Sequence, residues 1–410
     1  MSSISELGSS PSPWFSGSPA SRAALILCLV LVLLATTGWT ALRTQHPRPG
    51  PRAAAEAAWN RDTAGGRRLP RADAAPEEIR AFFGTLAAEQ RRRLADRHPL
   101  VVGNLGGAPP SLRYQANRAA LRRALVSERA RLHDSRLTPL GREQTARRAQ
   151  RYASLLRPGR QILAFDPTGP GRVAEVFGDL TAARRVSVVV PGVDTEVVTF
   201  ERSRGPYSAP VGMARALHSA ERAAAPGVRT AVIAWADYTA PAGIGMDAAA
   251  GRLAARGALG LTALVRALPG TAKVALFCHS YGSVVCGVAA RSLPPRVTDI
   301  AVAGSPGMRA ERVSDLGGHA RVWATRDTGD WIEDVPNLEL GALGHGVDPV
   351  SPGFGARRLS AEGAFGHAGY FVPGTASLEN FARVGVGDLA AVRCSGGAHC
   401  GTADQGGHER

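Results

Sequence analysis

Ser280 lies in Cys278-His279-Ser280-Tyr281-Gly282, between an apolar run from Val274 to Phe277 and a small-residue apolar stretch from Ser283 to Ala290. A serine hydroxyl attacks a carbonyl carbon only when a base takes its proton, and it must stand clear of its own backbone to do so. A buried strand, a sharp turn centred on the serine and a helix, the nucleophile elbow, meet the second need. Such a turn holds the serine in a strained conformation, at roughly 1–3 kcal/mol, and calls for small residues two before and two after it. Gly282 satisfies this; Cys278, small but not glycine, satisfies it less well. The backbone N–H of Tyr281, in the first turn of the following helix, points where a tetrahedral oxyanion would form. His279 adjoins the serine, so its side chain points away, as a packing residue.

Acyl transfer by a serine also needs a base, an acid that orients the base, and a second oxyanion donor, each from its own strand end. The run Val186 to Val190 ends in Pro191-Gly192-Val193, which offers the N–H of Gly192 or Val193 as that donor. Two aspartates come after the later run Arg321 to Ala324. Asp330, in Gly-Asp-Trp-Ile, is the first candidate acid; Asp327 is the alternative, with a turn cap or an Arg326 contact as its other roles. For the base, His367 sits in a glycine-flanked loop, Phe365-Gly366-His367-Ala368-Gly369-Tyr370, and His345 in Gly344-His345-Gly346 is its rival. The chain order serine, acid, histidine favours His367.

These residues need a sheet to converge on. From Gln161 the pattern is that of strands: Ile162 to Phe165 and Val173 to Phe177 form a hairpin, succeeded by Val186 to Val190, a helix around Val211 to Ala224, and Thr230 to Trp235. A helix from about Ala248 to Ala267 leads into the elbow, and Val297 to Ala303 and Arg321 to Ala324 complete the set. A hairpin and then alternating strands and helices predict an α/β fold, a mostly parallel sheet covered on both faces. Sites in such sheets lie at the carboxyl ends of the strands.

Upstream, Pro76 opens a helix with the stripe Ile79, Phe82, Phe83, and Thr85 is positioned to cap the next one, which ends before His98-Pro99. A long helix runs from about Ser111 to Leu132, and Thr138-Pro139 starts another that stops at Pro158-Gly159. This helical module is basic. Residues 51–160 hold 23 arginines against ten acids, a net of +13 of the chain's +15, whereas residues 161–410 are neutral. Lys273 is the sole lysine, so the arginines express a compositional bias together with alanine and glycine, and no nucleic-acid partner is expected. A solvated face is the first meaning of the arginines; contact with an anionic envelope surface is the second.

Residues 23–42 carry no charge and are long enough to span a bilayer, which predicts a single-pass anchor; a cleaved secretion signal is the alternative. Arg43, Arg48 and Arg52 lie after the segment and only Arg22 precedes it, which would keep the C-terminal part of the chain in the cytoplasm. A disulfide between Cys394 and Cys400, which bracket a glycine-rich loop, would require an oxidising compartment instead, and an extracytoplasmic catalytic domain is the expectation. Cys278 and Cys286 read as buried thiols, and Cys28 falls in the apolar segment. No cofactor or metal is expected: there is no phosphate-binding loop, no dinucleotide fingerprint, and no metal-ligand spacing of histidines and cysteines.

From Phe82 to about Val384 the chain resembles the α/β-hydrolase superfamily and, within it, an actinobacterial family of uncharacterised α/β-hydrolases, a domain of unknown function with a helical N-terminal module. The resemblance rests on Arg91-Arg92-Arg93-Leu94-Ala95-Asp96-Arg97-His98-Pro99, Val102-Gly103-Asn104 and Ala116-Asn117-Arg118, then on Pro191-Gly192, His279-Ser280-Tyr281-Gly282-Ser283, Gly329-Asp330-Trp331-Ile332, Gly344-His345-Gly346, Asp348-Pro349, Phe354-Gly355-Ala356, and Gly366-His367 with Tyr370. It implies a serine hydrolase with Ser280 as nucleophile, Asp330 as acid and His367 as base, and no assigned substrate. The expected organisation is a disordered tail (1–22), an anchor or signal segment (23–42), a Pro/Ala/Arg-rich linker (43–75), the helical module (76–160), the α/β-hydrolase domain (161–393) and a C-terminal tail (394–410). The expected activity is acyl-enzyme hydrolysis of an ester, lipid or related acyl substrate. Two rivals are a catalytically silent hydrolase fold that binds the cell envelope, and an amidase or peptidase with the same triad.

Overall fold

The computed structural model describes residues 50–335, 339–341, 343–396 and 400. The tail, the apolar segment 23–42, Cys28, the start of the linker and residues 401–410 lie outside the described residues. Among the described residues no helix is long and apolar enough to cross a membrane. From Gly50 onward the chain forms one compact unit.

Eight strands make the central sheet: β1 (Gln161–Asp166), β2 (Arg172–Gly178), β3 (Arg185–Val190), β4 (Thr230–Ala236), β5 (Lys273–His279), β6 (Val297–Ala303), β7 (Arg321–Thr325) and β8 (Arg357–Arg358). Their spatial order is β8-β7-β6-β5-β3-β4-β2-β1. β2 runs antiparallel to both its neighbours, and every other pair is parallel. The period-two alternation of a strand divides the interior into two cores. Val186, Val188, Val190, Leu276 and Cys278 point into one with the helices Arg252–Ala267 and Gly282–Ala289; Val189, Ala275 and Phe277 point into the other with Pro210–Ala224 and Ala376–Val386.

Three elements went unforeseen. Two-residue β8 is too short to carry a periodic signal, and it closes the sheet beside β7. The helix Ala376–Val386 is capped by Thr375, whose hydroxyl accepts from the Leu378 N–H, and ended by Gly387 at φ +82°. The expected linker over 43–75 is, from Pro51 on, packed structure: a helix Pro51–Asn60 and a hairpin pairing Thr63–Ala64 with Arg67–Arg68. Its anchor is Trp59, fully buried, with its indole N–H donating to Pro70 O at 2.6 Å. Its Ala, Arg and Pro content resembles that of a linker, but one tryptophan supplies enough apolar surface to fix it.

The stripe Ile79, Phe82, Phe83 lies on the helix Pro76–Thr85, with Ile79 and Phe83 buried. Thr85 does not cap the next helix. It ends its own, bonding back to Phe82 O, and the helix Ala88–Arg97 starts from Ala87, whose N–H is taken by the Gln90 side chain. The long helices Pro110–Arg131 and Pro139–Leu155 are built onto the sheet: Asn117 donates to Ile162 O on β1, and Asn104 donates to and accepts from the backbone of Phe165. The sequence pattern changes at residue 160, but the packing continues, with Leu121 and Tyr152 sharing a core with Phe165 and Phe277.

Glu221, on Pro210–Ala224, is wholly buried against Ser187 of β3, which donates to it, and Gly385, where a Cβ would lie 2.2 Å from its Oε1. Burial drives its carboxyl up to about 8 against the hydrogen bond, so it keeps its proton at neutral pH. The unfolded chain releases that proton near the ordinary glutamate value. Glu221 therefore costs nothing in acid, and it removes stability by up to about 1.4 kcal/mol per pH unit as pH rises toward the folded value. Glu221→Gln should flatten the fall of unfolding free energy between pH 5 and 8, measured by denaturant titration at several pH values.

Candidate active site

The elbow forms where β5 ends. Ser280 has φ +54°, one of three non-glycine residues with positive φ among those described, and its N–H donates to Ala303 O at the end of the neighbouring strand β6. The helix Gly282–Ala289 leaves at once, and only glycine fits at 282, since a Cβ there would sit 2.2 Å from Val190 O.

Cys278 and Cys286 are not the free thiols expected: they form a disulfide between the last turn of the strand and the elbow helix. Eight residues of separation could not reveal this, because the pairing exists only once strand, turn and helix fold back on themselves. Cys278 thus stands where glycine is usual and staples the elbow from the core side. Cys278→Ala with Cys286→Ala should cost about 2–4 kcal/mol of unfolding free energy, with the wild type in strong reductant approaching the variant. Cys394 and Cys400 also pair, as expected, so the start of the C-terminal tail is covalently closed and Cys394 bridges to Leu359.

Asp330 comes after β7, fully buried. Its Oδ1 accepts from Ile332 N–H at 2.9 Å, capping the short helix Trp331–Asp334. The carboxylate meets His367 Nδ1 at 2.8 and 3.0 Å, and the Tyr370 hydroxyl donates to Oδ2 at 2.5 Å. Burial pushes the Asp330 carboxyl up, but the hydrogen bonds from His367, Tyr370 and Ile332 outweigh it, and its pKa lies below the ordinary aspartate value. An ionised Asp330 fixes the proton of His367 on Nδ1 and leaves Nε2 as the acceptor.

The alternatives fall elsewhere. Asp327 accepts from the N–H groups of Gly329 (3.2 Å) and Gly366 (2.8 Å), so it ties down the loop that carries His367. His345 is buried, its Nε2 bonded to Ala248 O at 2.7 Å and its ring edge-on to Tyr281. It does not meet Asp330.

Gly192 lies against the nucleophile. A Cβ on it would come within 2.6 Å of Ser280 Cβ, 2.9 Å of Oγ and 3.2 Å of Tyr281 N. The Tyr238 hydroxyl pins this turn by donating to Pro191 O at 2.6 Å. Val193 is half-buried beside it, and Asp194, at φ +56°, ties the turn to the next loop through Pro241 O and Gly243 N–H. The phenol of Tyr281 accepts from Ala254 N–H and donates to Ala250 O, so its backbone is held from its side-chain end.

Two contributors were missed. Gly304, at φ +52°, leaves room for the acid and base: a Cβ there would sit 2.7 Å from Asp330 Oδ2 and 3.0 Å from His367 Nδ1. Ser280 and His367 therefore flank the same pair of residues, Ala303 and Gly304. His279 is more than packing. Burial, with the His367 ring beside it, lowers its pKa to about 3, so it stays neutral, and its Nε2–H donates to His367 O at 2.6 Å. A glycine directly after a buried strand, and a histidine beside the nucleophile, were the available signals.

The Trp331 ring lies tilted against His367 at a centroid distance of 4.7 Å. Among the described residues no group of three or more His, Cys, Asp or Glu could hold a metal ion. Clefts of 590 and 840 Å³ elsewhere include none of Ser280, Asp330 or His367 in their walls.

Residues 166–340 match a family model described as alpha/beta hydrolase, a stretch that contains Ser280 and Asp330. Two uncharacterised proteins from Mycobacterium tuberculosis, from the CDC 1551 / Oshkosh and ATCC 25618 / H37Rv strains, are each 26% identical over 385 residues. The match covers 78% of this chain but only 57% of theirs. Solved structures similar to the chain include an a/b serine hydrolase without lid from Xanthomonas campestris, 15% identical over 57% of this chain and 95% of that one, with a TM-score of 0.33. A sugar hydrolase from Lactococcus lactis is 12% identical over 43% and 73%, with a TM-score of 0.27.

Proposed function

From the premise that this chain carries an α/β-hydrolase domain, we propose that it is a serine hydrolase acting through an acyl-enzyme on an ester, lipid or related acyl substrate. The observation that carries this is the placing of a positive-φ serine and of the half-buried His367, paired with the buried Asp330, around Ala303 and Gly304. Ser280 Oγ bonds to the carbonyl carbon while His367 Nε2 takes its proton. The Tyr281 N–H, with that of Gly192 or Val193, holds the oxyanion. His367 then returns the proton to the leaving group as the carbonyl–leaving-group bond breaks, and water repeats the sequence to free the acid and restore Ser280. Asp330 keeps the imidazole oriented and stabilises it when charged.

The two disulfides suit an oxidising compartment. They support an extracytoplasmic catalytic domain; its attachment to the membrane through residues 23–42 is proposed from the uncharged apolar sequence of that segment. Parallel assays on matched ester and amide substrates test the activity: Ser280-dependent ester turnover with little amide turnover supports it, and preference for the amide would make the protein an amidase instead.

A further inference from the structure

Among the described residues nine large apolar side chains are exposed. Three of them, Val126, Leu140 and Leu259, lie singly on helices, as is normal for a surface. The other six are on segments that build or abut the active site. Trp331, tilted against His367, belongs with Phe365, which is 93% exposed two residues before that histidine, and with Val372 in the same loop. Ile244, Met246 and Leu343 lie on segments tied to the oxyanion residues. Gly243 N–H bonds to Asp194, two residues past Gly192, and Leu343 bridges to Ala250, whose carbonyl accepts from Tyr281. Two apolar sets thus flank Ser280 and His367. Exposing them to water is unfavourable by roughly 25 cal/mol per Å² of apolar surface, a cost that a substrate covering them would recover.

Charge narrows the class of that substrate. Asp247 is partnered by Arg252 at 3.5 Å, and Glu333 and Asp334 are exposed beside Trp331. On the Trp331 side Glu333 and Asp334 disfavour a carboxylate or phosphate arriving with the chain, whereas on the Leu343 side Arg252 offsets Asp247 and the Arg309 guanidinium is bonded to Gly341 O and Gly344 O. We infer that the site takes esters of uncharged, medium-to-long acyl chains, with Phe365 and the Ile244–Met246 segment as the surface on which the chain lies. This rests on the serine-hydrolase assignment above.

The test is kcat/KM of the full-length protein for p-nitrophenyl esters from acetate to decanoate, in one buffer below their aggregation limits, beside Phe365→Ser and Ile244→Ser/Met246→Ser. A rise on the order of 10²-fold along the series is expected, from about fourfold for each of the roughly three or four added methylenes that this open surface covers. Each variant should lose most of that rise while its thermal unfolding midpoint stays put. The half-ester of a dicarboxylic acid of decanoate length should be turned over at least tenfold more slowly than decanoate. A flat series with Ser280-dependent acetate hydrolysis overturns the inference and leaves the hydrolase assignment standing, as does a rise that the variants keep. Absence of Ser280-dependent hydrolysis of any ester removes both.

Discussion

Ser280→Ala should lower kcat by a factor on the order of 10⁵–10⁶ while leaving the unfolding midpoint unchanged or slightly higher. The loss is that large because no neighbouring group can replace the hydroxyl. The adjacent residue His279 is neutral, buried and engaged with His367 O, and the elbow aims one side chain at the carbonyl. The residual rate would come from the Tyr281 and Gly192 side of the site, which survives the substitution. Stability should hardly change, because alanine keeps the Cβ and with it the strained φ of +54°, and only the hydroxyl oxygen is removed. Steady-state kinetics on an activated ester, with a melting curve on the same sample, checks both halves.

Asp330→Asn should lower kcat by about 10⁴. The side chain keeps its shape and place, but its amide offers a donor where His367 needs an acceptor. The Nδ1 proton is then no longer held, the imidazole shifts toward the tautomer with its proton on Nε2, and the base faces Ser280 with the wrong atom. Tyr370, which donates to Oδ2, and the Ile332 N–H, which donates to Oδ1, hold the carboxylate in place. An amide nitrogen directed at either donor would leave a buried donor unpaired, so a stability loss of about 1–3 kcal/mol accompanies the kinetic one. Asp327→Asn should be far milder, since the Asp327 carboxylate accepts from the backbone N–H groups of Gly329 and Gly366, and its backbone bonds to the Tyr370 hydroxyl and the Asp330 N–H survive the substitution.

Much of this site could be read in the chain. The elbow was legible because its demands are local: an apolar strand, a serine, a glycine two residues on, an apolar helix. The strands were legible because burial on both faces leaves continuous Val, Ala and Ile runs, as in β3, β4 and β6. Turn chemistry in Gly-Asp-Trp-Ile and the family resemblance both favour Asp330 over Asp327, and the geometry brings Asp330 to His367. What was not legible depends on contacts between distant residues. The Cys278–Cys286 disulfide exists because the elbow folds the helix back over its own strand. Gly304 matters only because Asp330 and His367 arrive beside it from later loops. Trp59 is the anchor of a stretch whose composition is that of a linker, and the helix Ala376–Val386 lies beyond the last catalytic candidate, where Thr375 and Gly387 marked its ends unheeded.

The most direct measurement is reaction of the full-length protein with a fluorophosphonate probe, the adduct located by peptide mass spectrometry, beside Ser280→Ala. The proposed triad of Ser280, His367 and Asp330 predicts one adduct, on Ser280, and none in the variant. A well-folded wild type that stays unlabelled, or that labels equally after Ser280→Ala, would contradict it.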